Sequence, residues 1–450
     1  MLTKNSFKVR LYSLISTFKF VLAFYSTNSI AADPLDFAVT VTSPNNTPEA
    51  VVDVVLDTIC PEIIASNESE NSNLQNVCNF IVDASADEIA KVTEELSAKS
   101  NTASNTLISK TPTMTPTSGI GLRLAALRSS ARKTNQYAYH KKNKKRSSSP
   151  LNTVFNEQES EEQGSLLSQR LSAFLNVNNI AAEQLESSTE IGYESASRGL
   201  LFGIDYRLLK STFIGIASQY YTTSADLSDS GSKLNANQIG ITVYGTHFIN
   251  KRWYLETTYS TSQQQLDIER QIDLDLGLNT VAKSNTNSRQ LGVYFGTGYD
   301  IPLKFGFNSV ASVGVSYVSN TISAYTESNT GGLGLAIDSQ SITSLTTISN
   351  LHLSKAFSTS LGIIIPQLSG TWVHETKQEE LIIGSRFAND SSNTRFEFES
   401  PAADANYFVL GVDLQMVLPK GRMIFMKYSN VARLRDKIEH SLAAGFRMEF

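Results

Sequence analysis

From about residue 170 to the carboxy-terminus, apolar and polar residues alternate with a period of two, and polar stretches break the alternation into segments. The pattern predicts twelve β-strands, near 170–178, 198–208, 211–223, 236–249, 252–265, 287–300, 308–323, 342–356, 360–377, 404–418, 421–431 and 440–450. The alternation is plainest in Phe202, Ile204, Tyr206 and Leu208, and in Phe408, Leu410, Val412, Leu414 and Met416. The last segment places His440, Leu442, Ala444, Phe446, Met448 and the terminal Phe450 on one face, with Ser441, Ala443, Gly445, Arg447 and Glu449 on the other. One face suits lipid and the other a wet interior.

The connections sharpen this. Leu209-Lys210, Asn250-Lys251, Phe357-Ser358-Thr359, Pro419-Lys420 and a turn near Pro302 are short, whereas the links after strands one, three, five, seven and nine are longer and rich in Asn, Ser, Asp and Gly. Long and short links alternate, so every long loop gathers at one end. That is the arrangement of a transmembrane β-barrel with short inner turns and long outer loops. The fold class expected is mainly β: a twelve-stranded antiparallel transmembrane barrel, preceded by a small α-helical domain and a flexible linker.

Residues 33 to about 110 follow a helical period instead. Val51, Val52, Val55, Leu56 and Ile59 share a face before Cys60-Pro61, as do Leu74, Val77, Cys78, Ile81 and Val82, and then Ile89, Val92 and Leu96. The two cysteines are the only ones in the chain. No cluster of metal ligands surrounds them, and in an oxidising compartment a structural Cys60–Cys78 disulfide tying the first two helices is the better reading than zinc.

Composition adds the address. Lys4, Lys8 and Arg10 precede an apolar run from Leu11 to Phe24, broken by Lys19, with small residues at Ser29-Ile30-Ala31, which reads as an export signal. No run approaches the ~18 apolar residues of a membrane-spanning helix. Between Glu95 and Glu157 there is no acidic residue, while Arg123, Arg128, Arg132, Lys133, Lys141, Lys142, Lys144, Lys145 and Arg146 accumulate. A solvated linker is the first reading of this stretch and a contact with anionic lipid the sharper one; without aromatic platforms, nucleic acid is a poor fit.

The barrel segments closely resemble the translocator domain of autotransporters, the type V secretion proteins of Gram-negative outer membranes. The resemblance rests on Ser197-Arg198-Gly199-Leu200-Leu201-Phe202-Gly203-Ile204-Asp205-Tyr206-Arg207, Val315-Ser316-Tyr317, Leu335-Ala336-Ile337-Asp338-Ser339-Gln340-Ser341, Pro366-Gln367-Leu368 with Trp372-Val373-His374-Glu375, Tyr407-Phe408-Val409-Leu410-Gly411, and the closing Gly445-Phe446-Arg447-Met448-Glu449-Phe450. It implies insertion by the barrel assembly machinery, aided by periplasmic chaperones, with Phe446, Met448 and Phe450 as the assembly signal. It also implies outer-membrane lipid and lipopolysaccharide as surroundings, no cofactor, and a helix threading the lumen, for which Glu161 to Gln169 is available.

The chain thus divides into a signal over 1–31, a helical domain over 32–110, a basic Ser/Thr-rich linker over 111–160 and an autotransporter-type barrel over 161–450. The segment ahead of the barrel carries no 20–50-residue repeat of a solenoid passenger. Two functions follow: anchoring and translocation of the chain's own short amino-terminal region, or a non-secreting barrel with a periplasmic or lumen-plugging binding domain.

No catalytic constellation stands out. Asp229-Ser230-Gly231-Ser232 approaches the nucleophile motif of serine-protease passengers, but Ser228 stands where that motif has Gly, and a polar turn is expected. Asn178-Asn179, a pair type at which some autotransporters cleave their passengers, falls at the end of strand one in a pattern that does not match. His140, His247, His352, His374 and His440 are scattered. Asp205, Arg207, Glu256, Asp413, Lys427 and Arg447 are expected to face the lumen, and Tyr244, Trp253, Tyr259, Tyr299, Tyr317, Trp372 and Tyr428 to form interfacial girdles.

Overall fold

The computed structural model describes residues 39–41, 47–65, 72–97, 99, 120–124 without 122, and 170–450 apart from 188–189, 229–230, 275–276, 378–380, 391, 401–403 and 433–436. The export signal, the Glu161 to Gln169 segment and most of the basic linker lie outside the described residues.

In chain order the strands are β1 (Val39–Val41), β2 (Leu171–Gln184), β3 (Tyr193–Leu209), β4 (Thr212–Leu227), β5 (Lys233–Phe248), β6 (Trp253–Leu274), β7 (Leu278–Pro302), β8 (Phe307–Ile322) and β9 (Tyr325–Thr326). They continue with β10 (Leu335–Ile337), β11 (Gln340–Lys355), β12 (Phe357–Ser358), β13 (Ile363–Glu375), β14 (Leu381–Phe387), β15 (Thr394–Ser400), β16 (Asn406–Leu418), β17 (Arg422–Ala432) and β18 (Lys437–Glu449). Twelve of them, β2 to β8, β11, β13 and β16 to β18, form one antiparallel sheet that closes on itself through β18 against β2 and β11 against β13. These twelve match the twelve segments expected from sequence, in order. The register climbs toward the long-loop end: the row that starts at Leu171, at the foot of β2, has reached Thr347, halfway up β11. Strand tilt of about 35–45° in closed barrels has this consequence.

The outer face fixes the membrane band. Val177, Leu200, Tyr220 and Ile239 lie on one register row and are exposed. One row higher, Asn179, Arg198, Thr222 and Asn237 are polar and exposed. An apolar belt that gives way to a polar one within two residues marks the rim of the bilayer, and the walls of the barrel continue beyond it. Trp253, Tyr317, Trp372 and Tyr428 are exposed on this outer face, and Trp253 leans on Tyr299 with ring centroids 5.0 Å apart. Tyr244 departs from the expected girdle. It follows the outward-facing Ile239, Ile241 and Val243 by odd parity, so its side chain enters the lumen, where it is 2% exposed. Its ring occupies the space that a Cβ on Gly215 would take, so only glycine fits there.

Two long connections are built differently from the polar loops expected. The link after the fifth barrel strand is a continuous hairpin: β6 and β7 pair from Trp253 with Tyr299 up to Leu274 with Leu278, far above the membrane rim. Leu266, Ile268, Ile272 and Leu274 face inward and are buried, while Asp267, Glu269, Gln271 and Asp273 face out, a period-two pattern that carries the strands onward. The connections around β9, β10, β14 and β15 fold into a second sheet, ordered β1-β15-β14-β10-β9, in which β1 runs parallel to β15.

Three helices rest on this superstructure: α1 (Pro48–Ala65), α2 (Ser72–Ile81) and α3 (Ala86–Leu96). The expected helical faces form them except at Val82, which lies just past the end of α2 and is exposed, and α1 runs on through Pro61, which lies on its exposed side, to bury Ile63. At the start of α3 the Glu88 carboxylate accepts from the Ser85 hydroxyl (2.7 Å) and backbone N–H (2.9 Å), and these bonds hold its pKa below the ordinary range. Val51, Val55, Leu56 and Ile59 of α1 and Leu74 and Val77 of α2 share one core with Phe387, Phe396 and Phe398 of the loop sheet and with Leu266 and Ile272 of the hairpin. The helical unit therefore owes most of its core to the barrel, as so small a unit must.

Cys60 of α1 and Cys78 of α2 are joined by a disulfide. Closing a loop of 18 residues contributes about 3 kcal/mol on the chain-entropy estimate. The Cys60→Ser/Cys78→Ser double variant is expected to lose that amount in the helical unit. Limited proteolysis of α1 and α2 in the assembled protein checks it, since unchanged cleavage rates would contradict it.

Candidate functional site

The closed barrel gathers charged and amide side chains on its inner wall, as a wet or filled lumen requires. Asp205, Glu256, Asp413, Lys427 and Arg447 are all buried there, and the Lys427 ammonium lies 3.8 Å from the Asp413 carboxylate. Arg207 faces the same way, with its guanidinium 5.0 Å from the centroid of the Phe213 ring. Two levels of this wall hold residues of the amino-terminal region.

The lower hold is Arg123. The sequence reading counts it among solvated linker cations, yet it is 0% exposed, within helical residues that enter the short-turn end. Its Nε donates to Asp205 Oδ2 at 2.7 Å, its Nη2 also meets that carboxylate, and Nη2 donates to Ser172 Oγ at 3.0 Å. Ser172 in turn donates to Asp205 Oδ1 at 2.6 Å, and the Tyr244 hydroxyl approaches Asp205 Oδ2 at 3.3 Å. The guanidinium lies 5.2 Å from the centroid of the Phe174 ring, a cation–π contact. Ile120 and Leu124 flank it, packed with Phe174, Leu201, Phe213 and Tyr244. A buried arginine needs this many partners, because its charge cannot be neutralised by deprotonation.

The upper hold closes on the last turn of α3. Arg270 of β6 makes a two-pronged pair with Glu327, Nε to Oε1 at 2.9 Å and Nη2 to Oε2 at 2.6 Å, and both side chains are buried. Its Nη1 then donates to the backbone oxygen of Glu95 at 3.3 Å, and the Glu95 carboxylate accepts the Asp273 N–H at 3.2 Å. A cation at the carbonyl end of a helix meets the negative end of its dipole. Lys99, just beyond α3, pairs with Glu49 of α1.

Thr258 of β6 shares a register row with Asp205, Gly215 and Tyr244, and Arg270 lies twelve residues further up the same strand. The two holds are thus about 40 Å apart along the strand and roughly 30 Å along the barrel axis. Residues 100–119 connect them.

The candidate chemistry resolves otherwise. Ser232 accepts the Gln271 N–H at 2.9 Å in the turn between β4 and β5, and Asp229-Ser230 lies outside the described residues. Asn178-Asn179 stands in the middle of β2, not at its end: Asn178 faces inward and donates to the Tyr221 hydroxyl at 2.9 Å, and Asn179 faces out. His247 meets Thr212, His374 meets Asn406 and His440 meets Tyr428, each across neighbouring strands. Among the described residues there is no group of His, Cys, Asp or Glu arranged to hold a metal ion. Phe446, Met448 and Phe450 line the outer face of the closing strand, and the Phe450 N–H donates to Leu171 at 2.9 Å.

The sequence matches the autotransporter beta-domain family over residues 173–429. No curated protein matches it. Among solved structures, the translocator domain of the autotransporter NalP from Neisseria meningitidis superposes with a TM-score of 0.52 at 12% identity, covering 72% of this chain and 98% of that one. The beta domain of the Bordetella autotransporter BrkA (16% identity, 62% of this chain, 100% of that chain, TM-score 0.46) and the transport unit of AIDA-I from Escherichia coli (13%, 66%, 95%, 0.42) are also similar. A closed twelve-stranded barrel and a family match over more than half the chain lead to one assignment: this protein belongs to the autotransporter beta-domain family, whose barrels reside in the outer membrane.

Proposed function

We propose that this barrel carries its own amino-terminal region through its lumen and keeps it, as a disulfide-closed helical cap, on the cell surface at the long-loop end. One observation carries the reading: a single chain is gripped at opposite ends of one closed lumen, by Arg123 with Asp205 below and by Arg270 with Glu95 above. Twenty connecting residues suffice to pass through, reaching about 30 Å even if helical, but not to leave one mouth and return by the other. The shared core of helices, hairpin and loop sheet supports a cap that stays docked rather than one that is shed. In this reading the barrel is an anchor and an occluded conduit without catalytic activity. Assembly by the barrel assembly machinery follows from the family, with Phe446, Met448 and Phe450 as its recognition element.

Intact cells treated with a membrane-impermeant amine reagent test this on the unaltered protein. Lys91 is exposed on α3, whereas Lys210 and Lys420 are exposed in short turns at the other end. The expected result is modification of Lys91 and sparing of Lys210 and Lys420. Sparing of Lys91 with modification of the turn lysines only after the outer membrane is opened would instead mean a retained domain.

A further inference from the structure

The links at the short-turn end are basic or neutral throughout. Those over 210–211, 249–252, 303–306, 356–362 and 419–421 carry Lys210, Lys251, Arg252, Lys304 and Lys420 and not one Asp or Glu. Asp300, near the foot of β7, has the inward parity of Gly296 and Gly298, and Glu449, at the foot of β18, pairs with Arg447. At the opposite end the helical cap exposes Asp53, Asp57, Glu62, Asp87 and Glu94. Charge is thus polarised along the barrel axis, with the cations at the short turns.

Two neighbouring links join those cations to apolar groups. The β7–β8 and β11–β13 links stand side by side, because β8 pairs with β11. At their edge Lys355 of β11 is in register with Phe307 of β8, and its ammonium lies 4.8 Å from the centroid of the Phe307 ring and 5.4 Å from that of Phe357. The two rings fix the cation in place but leave its three N–H donors for an oxygen ligand. At the tip of the β7–β8 link Phe305 is 85% exposed, and its φ of 59° lies in the left-handed region, where a bulky side chain is strained. Glycine would sit there without strain, so the ring itself is what the turn retains. Leu303 and Leu361 are exposed in the same two links.

Position identifies what meets this surface. Phe307, Val313, Val315 and Tyr317 are exposed on the outer face of β8, and Leu351 and Leu353 on that of β11. Tyr317 stands ten residues above Phe307 on one strand, a rise of about 25 Å along the axis. That is the height of the apolar band of a membrane barrel, so Phe307 and Lys355 mark its lower edge. The tips of the links extend about 5 Å farther, into the headgroup layer. A phospholipid there presents phosphate oxygens to the lysines and acyl carbons to the rings. A zwitterionic headgroup also brings an ammonium, for which links without a carboxylate hold no partner.

We propose that the β7–β8 and β11–β13 links form a binding site for an anionic glycerophospholipid of the inner leaflet, with its phosphate oxygens on Lys304 and Lys355 and its acyl carbons against Phe305, Phe307 and Phe357. This requires only that the barrel resides in the outer membrane, and it stands apart from where the cap lies.

Native mass spectrometry of the full-length protein in micelles, titrated with phosphatidylglycerol or with phosphatidylethanolamine of the same acyl chains, tests it. The expected result is that phosphatidylglycerol binds about tenfold more tightly, since each lysine near a membrane surface contributes measurably to attraction of anionic lipid. That preference should vanish in Lys304→Gln/Lys355→Gln and persist in Lys210→Gln/Lys420→Gln, with heat-modifiable mobility showing that both variants are folded barrels. Equal affinity for the two lipids in the unaltered protein would overturn the proposal and leave these links to face an acidic periplasmic protein instead. A preference kept by the Lys304/Lys355 variant, or lost equally in both variants, would overturn it in favour of diffuse attraction by the whole basic end. The comparison of lipids on the unaltered protein is decisive even if a variant fails to assemble.

Discussion

Asp205→Ala is expected to open the barrel. The substitution leaves Arg123 buried with its charge unopposed at a site where Ser172, Tyr244 and the Phe174 ring cannot replace a carboxylate. Removing one partner of a buried ion pair costs about 3–5 kcal/mol. The cost falls on the hold itself, because the barrel wall at β3 keeps its backbone pairing to β2 and β4. Release of the lower hold should then appear as ion conductance in planar bilayers, at least tenfold above that of the unaltered protein, with the heat-modifiable mobility of the folded barrel preserved. The paired change Arg123→Met with Asp205→Leu, which removes both charges and keeps apolar volume beside Ile120 and Leu124, should restore the closed state. Conductance unchanged in Asp205→Ala would mean that Arg123 does not hold the lumenal chain in place.

Phe396→Ala is expected to free the cap from above. Phe396 is fully buried, packs at a tilt against both Phe387 and Phe398 in the loop sheet, and shares a core with the apolar stripe of α1. Truncating a buried phenylalanine costs about 3–5 kcal/mol, from lost transfer energy and the cavity that remains. Because α1, α2 and the loop sheet share this core, loss at Phe396 should loosen all of them together. Hydrogen exchange in the assembled protein should accelerate across α1, α2, β14 and β15 while β3 to β5 remain protected. Acceleration confined to β15 would show that the helices are stable without the barrel's loops.

The barrel was legible in the sequence because period-two alternation is local: Phe202, Ile204 and Tyr206 announce their face without reference to any partner. The helices were legible for the same reason, through Val51, Val55, Leu56 and Ile59. What escaped depended on distant partners. Arg123 reads as one more linker cation until Asp205, 82 residues away, is placed beside it. The strands β10 and β14 are 3 and 7 residues long and are defined only by pairing within the loop sheet, with each other and with β9 and β15. Two features were within reach of the pattern itself. Leu266, Ile268, Arg270, Ile272 and Leu274 alternate with Asp267, Glu269, Gln271 and Asp273, which marks a strand and places Arg270 on its buried face. The parity of Ile239, Ile241 and Val243 already turns Tyr244 inward. In both cases the period of two, and not the charged or aromatic residue type, decides which face the side chain takes.

Surface display of the amino-terminal region is tested most directly by protease accessibility of an epitope inserted between Asp33 and Pro34, on intact cells with a periplasmic protein as the integrity control. A cap held outside the membrane leaves the epitope open to attack, so it should be lost while the control survives. Protection of the epitope until the outer membrane is opened would contradict surface display and leave a barrel whose amino-terminal domain never crosses it.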